Sequence, residues 1–333
     1  MRLLIIIFSF LSFFFFSCDN EDNSEEVFFY EFPDHFPEPI IPEDNKLTES
    51  RIKLGERLFF DPILSRDSTI SCATCHKPEL AFADNKPTTP GIENRPGTRN
   101  VPSILNVVYQ ARLLREGSVP TIEGQVLVPI QEHNEFDSEW PAVLDKLNNK
   151  QEYLDLLFEA NYISPTTNDR MEYFEPYAVT RAIASYERTL ISADSKYDNY
   201  LKGNYDFTEA ERLGYNLFMS DSLNCSSCHS GVLFTNMRFY SNGIYQEYSD
   251  PGRFRLTNLE SDKGVFKVPS LRNVTITPPY MFDGSFDTLK DVILHYSTGG
   301  KDHINKSDKI KSFQLKQEEI DAIIAFLETL SDH

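Results

Sequence analysis

Two five-residue stretches carry the chemistry of this chain: Cys72-Ala73-Thr74-Cys75-His76 and Cys225-Ser226-Ser227-Cys228-His229. Cys-x-x-Cys-His is the attachment sequence of c-type haem. Two thiols on one turn reach the two vinyl groups of a porphyrin, and the adjacent His falls beneath the iron as its proximal ligand. A zinc ribbon or a thiol redox pair also uses cysteine pairs, but zinc-ribbon pairs sit close together and do not both end in His. Here 153 residues separate Cys72 from Cys225, and the only other cysteine is Cys18. The spacing predicts two covalently bound haem c groups.

The elements that must position these motifs read as helices. Ile52, Leu54, Leu58 and Phe59 recur at helical spacing after Thr48, and Asp61-Pro62 ends the run. A Pro- and Gly-containing stretch, 86–97, follows the first motif as a loop over the haem edge. Helical patterns resume over about 120–133, 140–160 and 176–191, and residues 194–206 read as a connection between domains. Thr208-Glu209-Ala210-Glu211 is a capping box before another apolar helix. The last helix, about 316–330, carries Ile320, Ile323, Ile324, Leu327 and Leu330 on one stripe. Sustained strand alternation is missing, so the expected class is all-α with long loops.

The chain also repeats itself. Leu54-Gly55-x-x-Leu58-Phe59 precedes the first motif, and Leu213-Gly214-x-x-Leu217-Phe218 precedes the second. Val101-Pro102-Ser103-x-x-Asn106-Val107 follows the first, and Val268-Pro269-Ser270-x-x-Asn273-Val274 the second. In that register Thr121 falls on Thr288, and Pro129 on Tyr296. Two cytochrome-c-like units follow, each wrapping one haem, with electrons passing between them. The halves diverge after the shared Thr: one carries Gln125, Pro129 and Glu135, the other His295 and Tyr296. That difference suits one open, reactive iron and one closed, electron-relaying iron.

Bulk properties bound the rest. The 333 residues are 40% hydrophobic and carry a net charge of −19, which argues against nucleic acid as a partner. Met1-Arg2, then an uncharged 14-residue run from Leu3 to Phe16, then Ser17-Cys18, reads as a lipoprotein-type signal over residues 1–18. The run is short for a membrane span. It predicts export to the periplasm or cell envelope, with a lipid anchor on Cys18. Residues 19–45 hold ten acids, no Lys or Arg, and four Pro, a composition expected to stay unfolded as a linker. The two domains are then expected over 46–200 and 201–333.

Over about residues 46–330 the chain resembles the bacterial dihaem cytochrome c peroxidase family, which includes the MauG-type enzymes. The motifs that carry the likeness are Ala81-Phe82-Ala83-Asp84 after the first haem site, Arg99-Asn100-x-Pro102-Ser103, Pro129-Ile130 leading to Glu135, Leu271-Arg272-Asn273-Val274, and Pro279-Tyr280-Met281-Phe282-Asp283-Gly284-Ser285. The resemblance implies two all-α cytochrome-c-like domains. It implies a peroxidatic N-terminal haem that reduces hydrogen peroxide to water. It also implies a C-terminal haem fed by a small cytochrome c or cupredoxin, and homodimers are common. By motif, Glu135 matches the distal acid-base glutamate and Gln125 its neighbouring glutamine. An interdomain calcium ion is implied, with ligands matching Asn100, Thr277 and Pro279. His133 stands at a variable position and reads as a surface or structural His.

Three departures matter. Peroxidases of this family carry a distal His where this chain has Ile92, so the first iron is expected to be five-coordinate and open, a MauG-like trait. Their C-terminal haem has a distal Met where this chain has Tyr296, again as in MauG, with His295, Met281 and His303 as rival ligands. Finally, the interhaem Trp is replaced by Arg115 in Arg115-Glu116-Gly117; the single Trp, Trp140, reads as core. Arg cannot relay a hole as indole can. Three functions compete: a peroxidase, a MauG-like oxidase of a protein or organic substrate, and a membrane-tethered electron carrier.

Overall fold

The structure is a computed structural model that describes residues 30–332. Two apolar cores form along the chain. The first is built by α1 (Glu49–Phe60), the single turn α2 (Cys72–Cys75), α3 (Ile122–Gln131), α4 (Trp140–Asn148), α5 (Gln151–Ala160) and α6 (Pro176–Arg188). The second belongs to α7 (Lys196–Leu201), α8 (Glu209–Met219), α10 (Leu289–Ser297) and α11 (Gln317–Glu328), with the single turn α9 (Phe254–Thr257) outside it. Two antiparallel two-residue strands, β1 (Phe239–Tyr240) and β2 (Phe266–Lys267), are the only named strands among the described residues. The all-α expectation holds.

Local chemistry sets the helix boundaries. The Thr48 side chain caps α1 by accepting from the Arg51 N–H. Thr121 caps α3 and Thr288 caps α10 in the same way, so the repeated Thr is a repeated helix start. α6 begins on Pro176, whose missing N–H costs nothing at a helix N-terminus. Ala178, Val179, Ala182 and Ile183 make it the fully buried spine of the first core.

The pairing of helices is also repeated. α1 lies on α6 at Gly55, where a Cβ would sit 1.9 Å from the Ala182 carbonyl oxygen. α8 lies on α11 at Gly214, where a Cβ would sit 1.9 Å from the Ala322 carbonyl oxygen. Each glycine lets two helix backbones touch, and that contact sets the angle of the helix leading into each haem motif. The second core is ringed with aromatics: Phe326 packs on Phe207, Tyr215, Phe218 and Phe234 with centroids 5.3–6.2 Å apart.

Three expectations need correction. The helical run 140–160 is two helices, because the chain turns at Asn149-Lys150 and Asn149 caps α4 through the Asp145 carbonyl. The connection 194–206 contains α7, started by a Ser195–Asp198 capping box. The acidic stretch is not an unfolded linker over 30–45. Its aromatic residues supply the apolar surface that its charges conceal: Phe36 is buried under the Arg272 guanidinium, and Tyr30 donates to the Thr189 carbonyl at 2.8 Å. This strap therefore crosses from the second domain to the end of α6. The signal, Cys18 and residues 19–29 lie outside the described residues.

Candidate active site

Both His side chains end up in the same surroundings. The Nδ1 of His76 donates to the Phe82 carbonyl at 2.9 Å, and the Nδ1 of His229 donates to the Phe234 carbonyl at 3.0 Å. Pro102 and Pro269, the repeated prolines, face the same two rings with their carbonyls. Burial pushes both imidazoles below their ordinary pKa, that of His229 to about 4, so each is neutral at physiological pH. A neutral ring whose Nδ1–H is held by a carbonyl presents the Nε2 lone pair outward, as an axial iron ligand must. The loops that supply those carbonyls are held by Ser103, donating to the Ala81 carbonyl at 2.6 Å, and by Ser270, donating to the Leu233 carbonyl at 2.7 Å. Cys72, Cys75, Cys225 and Cys228 are free thiols, one pair beside each of these rings. Burial raises the Cys75 and Cys225 thiols to about 11. Neutral thiols and neutral, oriented imidazoles are the donor set that covalent haem c requires.

The opposite side of the first pocket is built by the exit from α3. Pro129 has no N–H to give, but its carbonyl accepts from the Phe136 N–H at 3.1 Å, and Ile130 accepts from Ser138 at 2.9 Å. The turn 132–137 therefore folds back onto the helix and carries Glu135. A second strand of backbone clamps it: the Ile92 N–H donates to the Glu135 carbonyl at 3.0 Å. Gly91 makes that possible, since a Cβ there would meet the Asn134 carbonyl oxygen at 2.0 Å. Glu135 as a residue is exposed, yet its carboxylate is ringed by protein, as at the rim of a concavity. That desolvation first, and Glu132 second, raise its pKa to about 7. Its charge acts on both Cys72 and Cys75, which puts it at the first haem site. Gln125 lies one helical turn before Pro129 and so on the same face of α3. His133 is apart from this: exposed, it meets Arg95 and Asp137 at 3.0 and 3.1 Å. Ile92 is fully buried and has no ligating atom.

In the second pocket α10 starts on the same Thr, ends within a residue of the point where α3 ends, and puts Tyr296 at the place of Pro129. Its phenol is raised above the usual range by burial and interacts with Asn242, Cys225 and Cys228, so it faces the second haem site. The rivals are otherwise engaged. His295 is bonded to the Asn242 carbonyl at 3.1 Å, His303 packs its ring on Tyr248 at 4.9 Å, and the Met281 sulfur accepts from the Asn242 amide at 3.3 Å.

Comparison with known proteins decides the family. Residues 49–206 match the family model of di-haem cytochrome c peroxidase, and residues 212–331 that of cytochrome c. Methylamine utilization protein MauG of Methylorubrum extorquens is 32% identical over 292 residues, 87% of this chain and 80% of that one. Cytochrome c551 peroxidase of Pseudomonas aeruginosa is 33% identical over 295 residues, 86% and 80%. The crystal structure of a MauG-like protein associated with microbial copper homeostasis superposes with a TM-score of 0.82 at 31% identity, covering 91% of this chain and 95% of that one. The chain belongs to the di-haem cytochrome c peroxidase and MauG family. It is an oxidoreductase of two cytochrome-c-like domains that binds two haem c groups.

The calcium ion implied by the family does not fit. Asn100 was to supply it with oxygen, but both oxygens of Asn100 accept from the Arg115 guanidinium: Oδ1 at 2.6 Å and the carbonyl at 3.0 and 3.2 Å.

One candidate escaped the sequence reading. Glu187, on α6, is buried, and desolvation raises its pKa to about 8. Its charge acts on the Cys72 thiol more strongly than that of Glu135. The signal was present as a Glu inside the apolar face Val179, Ile183, Tyr186 and Leu190 of a spine helix.

Proposed function

We propose that the chain is a di-haem c-type peroxidase that reduces hydrogen peroxide to water with electrons from a small redox protein, a cytochrome c or cupredoxin. The observation that carries this reading is Glu135, clamped at the first haem site with a pKa near neutrality. Cys72 and Cys75 would hold one haem with His76 as axial ligand, and Cys225 and Cys228 the other with His229, one in each cytochrome-c-like domain, the second domain taking in α7 rather than starting at 201. When bound, haem iron supplies the redox centre at which peroxide is reduced and through which electrons enter.

The side chains do the rest. Ionised Glu135 takes a proton from the near oxygen of hydrogen peroxide. As the carboxylic acid it returns that proton to the far oxygen, which leaves as one water as the O–O bond breaks; two electrons from the redox partner and two protons from solvent carry the other oxygen to a second water. A pKa near 7 serves both directions, because neither protonation state is strongly favoured. Gln125 orients the peroxide by hydrogen bonding and does not titrate. Ile92 keeps the side opposite His76 clear of a protein ligand. Tyr296 is the proposed sixth ligand of the second haem, where a hard oxygen donor favours the ferric state.

Steady-state turnover of peroxide with a reduced cytochrome tests the reading. Glu135→Gln abolishes it if the proposal holds; turnover unchanged in that variant rejects it. A second reading, a MauG-like oxidase of a protein or organic substrate, is favoured by Tyr296 and Ile92. In that case peroxide yields an oxidised spectrum that persists until substrate is added. A plain electron carrier is distinguished by carbon monoxide, which the reduced protein would then fail to bind. Met1-Arg2 and the apolar run ending at Cys18 support export and a lipid anchor, as does haem c attachment.

A further inference from the structure

We propose that the Arg115 guanidinium is a built-in cation that takes the place of a metal ion at the domain junction, so that this enzyme joins its two halves without calcium. Asn100 is the pin of that junction. It is 5% exposed, and its N–H donates to the Phe282 carbonyl of the second domain at 2.8 Å. Its amide nitrogen donates to the Lys86 carbonyl at 3.1 Å, which fixes the orientation of the amide and leaves Oδ1 as the acceptor on the other side. Arg115 fills that side. One Nη reaches both the carbonyl and Oδ1 of Asn100, while Nε reaches the carbonyl again. A planar fork with fixed donors thus satisfies two oxygens that a hard cation would otherwise coordinate.

The carboxylates around the guanidinium are already engaged, and the Asp283 charge acts on Arg115 itself. Arg99 takes both carboxylate oxygens of Asp250, at 2.6 and 3.0 Å, and also pairs with Glu116. Asp283 accepts from the Tyr245 hydroxyl at 2.6 Å and from the Ser285 N–H at 3.2 Å. Lys267 brings a third cation: its N–H donates to the Arg115 carbonyl at 2.7 Å, and its ammonium to the Arg112 carbonyl at 2.9 Å. Three cations facing three committed carboxylates leave the junction balanced as built. A calcium ion would have to evict the guanidinium and then sit beside two remaining positive groups.

The inference is independent of which reaction the enzyme performs. The test is metal analysis of the purified dihaem protein, with calorimetric titration by calcium chloride and thermal unfolding in calcium and in a chelator. The expected result is less than 0.1 calcium per chain, as an order of magnitude, no binding heat, and one Tm in both media. Arg115→Gln exposes the Asn100 oxygens, and calcium should raise the Tm of that variant. Where Arg115→Gln does not accumulate, Arg115→Lys replaces it; a retained cation should keep the junction closed, with calcium still without effect. A wild type that keeps one calcium per chain or loses Tm in chelator overturns the proposal. So does an Arg115→Gln protein whose Tm calcium leaves unmoved, or an Arg115→Lys protein whose Tm calcium raises.

Discussion

The two halves of this molecule agree on one side of each haem site and part company on the other. On the His side the correspondence is nearly atomic. The imidazole bonds measure 2.9 and 3.0 Å and the serine bonds behind them 2.6 and 2.7 Å, and at each glycine that aims the preceding helix an added Cβ would sit 1.9 Å from a carbonyl oxygen. On the far side, two helices of nearly equal length carry Pro129 in one half and Tyr296 in the other at the same step, and the first is followed by a folded-back turn that carries Glu135. Covalent attachment tolerates one geometry, so duplication preserved it. The far side decides what reaches the iron, and there a change of a few residues after one helix turn separates a reactive site from a relay.

The sharpest way to break this comparison is at the acid. Glu135→Gln keeps shape and removes the titrating group, so kcat for peroxide should fall by about 10²–10⁴-fold. Tyr296→Phe, in the other half, leaves that proton step intact. Because Glu135 must be ionised to accept a proton, kcat/KM should rise with pH through about 7 and lose that inflection in Glu135→Gln. Equal losses in both variants, with the inflection retained, would mean that the halves do not divide the labour.

The next test asks whether the shared side is truly equivalent. Gly55→Val and Gly214→Val each force a branched side chain against a helix carbonyl, with no flexible neighbour to give way. Each should cost about 3 kcal/mol, read by denaturant unfolding of the holoprotein. Markedly unequal costs would show that one domain's helix pair can slide and the other's cannot.

How far the sequence revealed this arrangement depended on range. The haem motifs, the duplicated Gly and Pro-Ser-x-x-Asn segments, and the helices of the two cores are written in local spacing and caps. They were legible because each needs only neighbours within a few residues. The break at Asn149-Lys150 was hidden by apolar residues that stay in phase across it. The strap 30–45 was misread because composition averages over ten acids and misses the anchoring of Phe36 under Arg272, 236 residues away. Arg115 was recognised as a departure, but its hold on Asn100 depends on where the chain folds, and no periodicity records that. Glu187 was overlooked for the opposite reason: its helix was so plainly core that a charge within it passed unremarked.

A difference in how the halves are held is open to titration. Asp198 is wholly buried and grips Arg272 through two bonds of 2.7 and 2.8 Å. Burial alone would raise its pKa; the Arg272 hydrogen bonds and charge overcome that and lower it from 3.8 to about 2. With the folded pKa below the unfolded one, the stabilisation is complete above about pH 4 and is lost as pH falls towards 2. It amounts to on the order of 2 kcal/mol. Acid unfolding followed at each haem separately should therefore show the second domain's transition steepened across that window, and Asp198→Asn should remove the steepening. Asp198 also meets His35 of the strap at 3.1 Å, so the same acid step should loosen the strap.

The smallest effect concerns that strap, the one segment fastened to both halves. Tyr30 reaches the first domain by a single hydroxyl bond to the Thr189 carbonyl, half-buried at the end of α6, and its ring meets Phe32 at 4.9 Å. Tyr30→Phe keeps the ring contact and deletes the bond, so it should cost about 1 kcal/mol or less. Phe36→Ala removes a buried ring beneath Arg272 and should cost about 3 kcal/mol. If the strap couples the domains, the small Tyr30→Phe loss should appear in the unfolding of both haem units, although only the first is touched. A loss confined to the first would mean that the strap is merely a surface cover, with the halves joined by contacts such as Asn100 to Phe282 and Arg99 to Asp250.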